Sequence, residues 1–384
     1  MRRLSASLRA TFRLAGPASG GSVYDITDRT PLFSLRDGIK RPPASVEKLY
    51  TTIAVLRKLG YDARLHTAVL GAGHLGAGGV WHGDLYLRGD GDPTFGDATF
   101  NRMWLQGLGA DAGQLAAGVS AAGIRRVTGS VIGDASLFDS SPGGPASGFS
   151  PDIADFGGQL TALSFDHGRA LSGLSPAAFA ARQFTALLRA AHVQATASPI
   201  SGRAPHDAKK LASVPSPRMS TIVRLMNVPS DDLFAEMLTK QLGVRFDTKG
   251  SIGAGARVIS REIGSLGLRP TIHDGSGLDR SDSSSPREVA ALLRFIAGTD
   301  LGRTIYDSLP LIGVNGTTRR IAVRTPAQGR CVGKTGTLSD VTNLAGYCQS
   351  RGHRVLAFAL FIVGPTNTRG IQLLGRMVAA IARY

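Results

Sequence analysis

The sequence of 384 residues contains only two cysteines and no long apolar segment. Two cysteines are too few for a disulfide framework or for a four-cysteine zinc site. The longest apolar stretch, Val355–Val363, has nine residues, about half of what a transmembrane helix requires. Hydrophobic residues make up 42% of the chain and charged residues 19%, which excludes a disordered or collagen-like protein. The length favours two globular domains.

Acidic residues are scarce relative to basic ones, with 28 Asp and Glu against 44 Lys and Arg, so the net charge is +16. Only eight of the basic residues are lysines, and the arginines are scattered along the chain. A nucleic-acid-binding protein would show a basic stripe interleaved with aromatic residues, so we expect no nucleic-acid partner. Two interpretations stay open: attraction to anionic surfaces such as acidic wall polymers, or a basic surface that only keeps the protein in solution.

The motifs of several enzyme classes are missing as well. The eight histidines show no His-Glu-x-x-His or other paired ligand spacing, so the sequence predicts no metal site. There is no Gly-x-Ser-x-Gly element, which disfavours an α/β-hydrolase, and neither a P-loop nor a complete dinucleotide-binding fingerprint occurs. We therefore expect no cofactor and no metal.

The apolar periodicity predicts a mixed chain with one distinct inserted segment. Residues 1–16 are basic and amphipathic, which is typical either of an organelle transit peptide or of a first helix packed on a sheet; we favour the helix. Residues 62–165 are rich in glycine and short apolar runs, as in a separate, mostly β unit. Elsewhere the patterns predict a hairpin at 22–35, helices at 44–59, 176–191, 233–242, 289–296 and 371–382, and strands at 331–335, 344–349 and 355–362.

Ser45 and Lys48 stand three residues apart at the start of the helix predicted for 44–59, so their side chains lie on one face. A serine hydroxyl is a poor nucleophile unless a base takes its proton, and a lysine held neutral can be that base. The helix N-terminus adds backbone N–H groups that suit a developing oxyanion. The pair is a weak signal by itself, although it is the only Ser-x-x-Lys in the chain.

Two further short motifs follow in order along the chain. Lys334-Thr335-Gly336-Thr337 closes a predicted strand and offers a cation, hydroxyl donors and a residue without a side chain to a substrate backbone. Ser230-Asp231-Asp232 precedes a predicted helix and, taken alone, is a helix-capping signature. In the order Ser-x-x-Lys, Ser-Asp-x and Lys-Thr-Gly they form the three-part set of penicillin-binding proteins and related serine acyltransferases.

With these motifs the chain resembles the class C low-molecular-mass penicillin-binding proteins, which are serine D-alanyl-D-alanine carboxypeptidases and endopeptidases that trim peptidoglycan. The resemblance covers nearly all of the chain after about residue 20. Beyond the three motifs it rests on residues 43–49, 83–87, 91–94, 230–238, 274–278, 309–313 and 333–338.

The resemblance implies an α/β (α+β) fold of the β-lactamase and transpeptidase type, an antiparallel sheet covered by helices. We expect residues 1–61 and 166–384 to form this penicillin-binding domain and residues 62–165 to form an inserted, mostly β domain. The gap between the first two motifs is shorter than in family members with two inserted domains, so we infer a single insertion.

The resemblance also implies the role of each motif residue. Ser45 would attack the carbonyl of a D-Ala-D-Ala bond, Lys48 would accept its proton, and Ser230 would relay a proton to the leaving D-alanine. The backbone N–H groups of Ser45 and Thr337 would hold the oxyanion. The substrate would be bound by a set consisting of Asp232, Lys334, Thr335, Gly336 and Thr337, with the terminal carboxylate held by the lysine and the two threonines.

The expected partners are peptidoglycan stem peptides ending in D-Ala-D-Ala and, as covalent inhibitors, β-lactam antibiotics. Asp232 departs from the family pattern, which usually has asparagine at this position. A carboxylate there favours the protonated form of a neighbouring lysine and repels the substrate carboxylate. A catalytically weak or inactive peptidoglycan-binding homologue, a serine β-lactamase and a DD-endopeptidase therefore remain alternatives.

The two cysteines, Cys331 and Cys348, lie on neighbouring predicted strands joined by a turn near residues 339–340. A regular hairpin about that turn places them directly opposite, with Cα atoms roughly 4.5–5.5 Å apart, inside the range that a disulfide accepts. We expect a disulfide and hence an extracytoplasmic location, in periplasm or cell wall; two buried free thiols are the alternative. An export signal would have to precede residue 1.

Overall fold

The computed structural model describes residues 2–384, and the side chains of all of these except 197–199. Met1, which begins both the predicted N-terminal helix and the predicted domain 1–61, lies outside the described residues. The chain forms two compact units. Within the described residues, the first consists of residues 2–59, 223–235 and 256–384, and the second of residues 60–222 and 236–255.

The helices and strands are numbered in chain order. The α-helices are α1 (Arg2–Ala15), α2 (Lys48–Leu59), α3 (Ala98–Leu105), α4 (Ala112–Ala121), α5 (Ile153–Phe156), α6 (Pro176–Ala190), α7 (Met219–Asn227), α8 (Asp232–Phe246), α9 (Ile252–Gly264), α10 (Pro286–Ile296), α11 (Asp300–Ser308) and α12 (Asn367–Arg383). The strands are β1 (Gly20–Asp25), β2 (Thr30–Leu35), β3 (His66–Leu75), β4 (Val80–Arg88), β5 (Arg126–Asp134), β6 (Gln194–Ser201), β7 (Lys209–Pro215), β8 (Cys331–Leu338), β9 (Val341–Gln349) and β10 (Val355–Val363).

The first unit is built on an antiparallel sheet with the strand order β2-β1-β10-β9-β8. Strand β10 is buried from residue 356 to residue 362, because helices cover both faces of the sheet. Its alternate residues Leu356, Phe358, Leu360 and Ile362 belong to the core that α1 and α12 also form. Helix α10 packs on β1 and β10. This arrangement confirms the predicted fold class of an antiparallel sheet covered by helices.

The basic N-terminal segment is the first helix of this unit. Leu4, Leu8 and Phe12 recur at helical spacing and are buried against the sheet and α12, whereas the arginines of α1 are exposed. Burial of one apolar stripe stabilises such a helix more than its intrinsic propensity does. The expectation of a packed first helix is confirmed for residues 2–15.

The predicted helix at 44–59 has a different beginning from the one expected. Residues Ala44–Glu47 form a 3₁₀ turn, and the α-helix α2 begins only at Lys48. Ala44 has a φ of 49°, a left-handed conformation that is unfavourable for alanine. The turn therefore presents Ser45 from a strained position instead of from a regular first helical turn.

The second unit contains a mixed sheet with the strand order β6-β5-β4-β3-β7. Strands β4, β5 and β6 are parallel, and β3 pairs antiparallel with β4 and β7. Helices α4 and α6 pack against this sheet and against each other, and their apolar residues form its core.

The predicted boundary of the inserted segment at residue 165 differs from this division. Residues 166–222 belong to the second compact unit because β6 and β7 complete its sheet. Parallel pairing of β6 with β5 requires a crossover connection, here through α6, and such long-range pairing leaves no local signal in the sequence. The assignment of 62–165 as an inserted domain stays a prediction.

Candidate active site

Ser45 and Lys48 meet in the first unit as the sequence predicts. Lys48 Nζ donates a hydrogen bond of 2.9 Å to Ser45 Oγ. Lys48 is fully buried at the first position of α2. The amine therefore lies within proton-transfer distance of the hydroxyl.

Two other acceptors share the same lysine. Lys48 Nζ donates to Asp232 Oδ1 in a very short ion pair, and to the backbone carbonyl oxygen of Ser276 at 2.8 Å. An ammonium group has three N–H donors, and here each has an acceptor. The ammonium nitrogen of Lys48 is thereby held among three oxygen atoms, one of which is the hydroxyl of Ser45.

Ser230 and Lys334 form a second pair of hydroxyl and amine. Lys334 Nζ donates to Ser230 Oγ at 2.6 Å and to the carbonyl oxygen of Thr335 at 3.0 Å. Ser230 has a φ of 67° in the turn between α7 and α8, which turns its hydroxyl toward the lysine. The neighbouring Asp231 caps α8 instead, since its carboxylate accepts from the N–H of Phe234 at 2.9 Å.

The electrostatics of the site are dominated by burial. Burial and the nearby ammonium of Lys48 hold the pKa of Lys334 well below its ordinary value, although Asp232 opposes this shift. Burial raises the pKa of Asp232 above its ordinary value, against the attraction of Lys48. The site thus contains two buried amines and one buried carboxylate, and Lys334 is the amine that is pushed toward its neutral form.

The strand β8 brings the Lys-Thr-Gly motif against the turn that carries Ser45. A side chain on Gly336 would place its Cβ 2.5 Å from the carbonyl oxygen of Pro43, so only glycine allows this approach. Asn343, on the neighbouring strand β9, donates to the carbonyl oxygens of Pro42 and Pro43, both at 3.0 Å. These contacts fix the backbone that leads to the nucleophile.

A cavity of about 280 Å³ opens at these groups. It is lined by Ser45, Ser230, Asp232, Thr317, Ile321, Thr335, Thr337, Thr342, Asn343, Ile371 and Leu374. Strand β8 is the edge of its sheet, so a substrate backbone can lie along it. All the predicted site residues of the three motifs either line this cavity or, like Lys48, Lys334 and Gly336, lie directly behind it.

Two buried carboxyl groups, those of Asp274 and Asp282, flank the loop that supplies the Ser276 carbonyl. Asp274 accepts hydrogen bonds from the N–H groups of Gly277 and Asp279 at 2.6 and 2.8 Å and thereby shapes this loop. Burial, together with the negative charges of Asp274 and Glu47, raises the pKa of Asp282 to about 12. The raised pKa favours the neutral form of Asp282, whose carboxyl oxygen accepts a 2.6 Å hydrogen bond from the N–H of His273.

Sequence reasoning missed three contributors to the site: Ser276, Thr317 and Asn343. Ser276 acts through its backbone carbonyl, so its side-chain identity carries no signal. Thr317 Oγ1 accepts a 2.7 Å hydrogen bond from Thr335 Oγ1, but Thr317 lies outside the three motifs. The family resemblance includes residues 274–278, and this match is the sequence signal from which the loop at Ser276 could have been predicted.

Cys331 and Cys348 are directly opposite in the β8–β9 hairpin, in the register that the midpoint of the turn predicts. The structure joins them in a disulfide across 17 positions of sequence, with the Cα atoms 4.0 Å apart. No helix within residues 2–384 has the length and apolar character to cross a bilayer.

An antiparallel sheet covered by helices, with a serine and a lysine three residues apart at its edge, defines the class of serine acyl-transferring enzymes that use lysine instead of histidine. The comparison with family models agrees: the chain belongs to the D-Ala-D-Ala carboxypeptidase 3 (S13) family, whose model matches residues 2–172 and 155–383. The protein is accordingly a hydrolase of the peptidase class and a D-Ala-D-Ala carboxypeptidase by family.

Individual relatives have similar descriptions. A D-alanyl-D-alanine carboxypeptidase from Actinomadura is 26% identical, with 97% of this chain and 82% of the relative covered. Penicillin binding protein 4 from Haemophilus influenzae has the same fold, with a TM-score of 0.80 at 18% identity over 98% of this chain and 99% of the other. A predatory endopeptidase from Bdellovibrio bacteriovorus superimposes with a TM-score of 0.62 at 16% identity over 94% and 92%.

Proposed function

We propose that the protein hydrolyses the terminal D-Ala-D-Ala bond of peptidoglycan stem peptides through an acyl-enzyme on Ser45. The observation that carries the proposal is the pairing of two hydroxyls with two buried lysines around one cavity, Ser45 with Lys48 and Ser230 with Lys334. Such a pair can form and break an ester without a metal or a cofactor.

Acylation begins when neutral Lys48 accepts the proton of Ser45 Oγ while this oxygen attacks the substrate carbonyl. The backbone N–H groups of Ser45 and Thr337 hold the oxyanion. The C–N bond then breaks, and Ser230 relays the proton that Lys48 has taken up to the nitrogen of the leaving D-alanine, so that Lys48 is neutral and Ser230 is again a hydroxyl. Water hydrolyses the resulting ester, with Lys48 as the base once more, and Ser45 regains its proton.

Substrate recognition falls to the edge of strand β8. Thr335, Thr337 and Lys334 bind the terminal carboxylate of the substrate, and Gly336 allows its backbone to approach. Asp232 lines the same cavity and holds Lys48. β-Lactam antibiotics, which carry a carboxylate and a reactive amide, are expected to acylate Ser45 as covalent inhibitors.

The proposal implies action outside the cytoplasm, where peptidoglycan is found. The disulfide between Cys331 and Cys348 supports this location, because disulfides persist in oxidising compartments. The net charge of +16 supports residence near anionic wall material.

Labelling with a fluorescent penicillin tests the proposed nucleophile. We expect a long-lived adduct on the protein, and no adduct on Ser45→Ala. The control is Ser7→Ala, which removes an exposed hydroxyl from α1 and should label normally. Labelling that persists in Ser45→Ala would overturn the assignment.

The same experiment separates the alternatives. Rapid turnover of the penicillin would identify a serine β-lactamase, and a folded protein that is never labelled would identify a non-catalytic binding homologue. A second assay distinguishes carboxypeptidase from endopeptidase activity. Release of D-alanine from an N-acylated stem peptide indicates a carboxypeptidase, and cleavage of a crosslinked dimer of stem peptides, assayed in parallel, indicates an endopeptidase.

A further inference from the structure

We propose that Asp274 is a positioning residue for Lys48, the base that accepts the proton of Ser45. Its carboxylate holds the loop of residues 274–279 in the form that presents the carbonyl oxygen of Ser276 to the lysine. The inference rests on the proposed function, because it concerns the proton that the nucleophile gives up. Most of this loop matches the family pattern, yet none of the three motifs gives it a role in catalysis.

The Ser276 carbonyl sets the direction in which Lys48 acts as a base. A neutral amine has two N–H donors and one lone pair. Lys48 Nζ donates to Asp232 Oδ1, and to the carbonyl oxygen of Ser276 at 2.8 Å. With both N–H groups bound in this way, the lone pair points toward Ser45 Oγ, which is 2.9 Å away. Without the carbonyl, only Asp232 holds the amine, which can then turn its lone pair away from the serine.

The loop packs against the helix of the base and the turn of the nucleophile. The carbonyl oxygen of Gly275 accepts a 2.7 Å hydrogen bond from Thr51 Oγ1, which lies three residues after Lys48 on α2. Gly277 has a φ of 82°, and a side chain there would place its Cβ 2.0 Å from the carbonyl oxygen of Ala44. The loop backbone therefore lies directly against the strained residue that precedes the nucleophile.

Asp274 organises this backbone from inside the protein. It is 1% exposed, its Oδ1 accepts from the N–H of Gly277 at 2.6 Å, and its Oδ2 accepts from the N–H of Asp279 at 2.8 Å. Hydrogen bonds to a carboxylate are shorter and stronger than those between neutral groups. The two bonds close the turn within which Ser276 presents its carbonyl. The described residues that line the cavity do not include this loop, so the loop acts on the base and not on the substrate.

The test separates binding from acylation. Acylation by penicillin is followed up to saturating concentrations, which gives the dissociation constant of the first complex and the rate constant of acylation, k2. Displacement of a catalytic group by about 1 Å costs on the order of 100-fold in rate. We expect Asp274→Ala to lower k2 by on the order of 100-fold and to leave the dissociation constant within about twofold of wild type. Asp274→Asn keeps one oxygen acceptor but directs an NH₂ donor at the second N–H group, so k2 should fall by about tenfold.

Asp134 provides a matched control for the loss of such a carboxylate. It is 2% exposed, and its two oxygens accept from the N–H groups of Ser136 at 2.9 Å and Ala204 at 3.0 Å. It lies in the second compact unit, whereas Ser45 and Lys48 lie in the first. Asp134→Ala and Asp134→Asn should therefore leave both constants of the folded protein unchanged.

A second pair of variants tests the contact with the nucleophile turn and also serves if Asp274→Ala does not fold. Gly277→Ala pushes the loop away from Ala44 and should lower k2 by at least about tenfold. Gly267 has a similar φ of 79°, but a Cβ there would have no described atom within 4 Å. Gly267→Ala is thus the control for backbone strain and should leave k2 unchanged.

Three results would overturn the proposal: a folded Asp274→Ala protein with the k2 of wild type, a loss that appears in the dissociation constant instead of in k2, or an equal loss of k2 in the Asp134 variants. If wild type forms no penicillin adduct, the proposed function fails, and the positioning role fails with it. An adduct on wild type together with an unaltered k2 in the Asp274 and Gly277 variants leaves that function standing and refutes only the positioning role.

Discussion

Replacing Asp232 by asparagine should accelerate acylation at neutral pH. The carboxylate forms an ion pair with Lys48, whose other two N–H groups are bound by Ser45 Oγ and the Ser276 carbonyl. Lys48 must become neutral to accept the serine proton, and loss of its charge leaves a buried carboxylate without a counter-ion. Asparagine keeps an oxygen acceptor and removes the charge.

The size of the effect follows from Coulomb's law. At an effective dielectric constant of about 20, two unit charges roughly 4 Å apart interact by about 4 kcal/mol. The side chain of Asp232 is 16% exposed, so we take about half of this value. About 2 kcal/mol corresponds to about 30-fold in the acylation rate at neutral pH.

The pH dependence gives the prediction its sign. Because burial raises the pKa of Asp232, its carboxyl group takes up a proton at a higher pH than an ordinary aspartate does. Wild type and Asp232→Asn should therefore become more alike toward acid pH, where both are neutral at this position. Their difference should be largest near neutrality, with the profile of the variant displaced to lower pH.

The assay is the second-order rate of acylation by penicillin between pH 5 and pH 10. Asp300→Asn, which removes one exposed negative charge at the start of α11, is the control for net charge. An Asp232→Asn protein that is folded and slower than wild type at every pH would refute the reasoning. It would mean that the carboxylate itself takes part in proton transfer.

Three further predictions concern the first unit. Gly336→Ala should cut the acylation rate by at least tenfold, because its Cβ would lie 2.5 Å from a backbone oxygen of the nucleophile turn. Gly333→Ala on the same strand should cost far less, because its Cβ would lie 3.1 Å from the tip of Leu344 and 3.2 Å from the carbonyl oxygen of Ala345; equal losses would contradict this. Replacing Cys331 and Cys348 together by alanine should lower the free energy of unfolding by about 3 kcal/mol, measured by urea denaturation, since the disulfide closes a loop of 17 residues; no change would contradict it. Asp282→Asn should remove a loss of stability that wild type shows as the pH rises above about 4. The native pKa of about 12 means that the folded state holds a proton that the unfolded state releases. The measurement is the urea midpoint at pH 4 and at pH 8; a change between the two pH values that is the same in wild type and variant would refute the prediction.

Local patterns predicted much of the fold because they act over a few residues. The helical stripe of Leu4, Leu8 and Phe12 and the turn at 339–340 both correspond to observed elements. The resemblance to penicillin-binding proteins added the sheet and its helical cover, which periodicity by itself does not specify. The strained turn at Ala44 was not predicted, since positive φ in alanine is imposed by surrounding packing.

The sequence by itself determined the chemistry: a serine and a lysine three residues apart, a second serine, and a lysine followed by two threonines and a glycine. Only the tertiary structure decided how these groups share protons. It placed Asp232 and the Ser276 carbonyl on Lys48, and Ser230 on Lys334. These contacts join residues far apart in the chain, and burial sets their energies, so no local pattern records them.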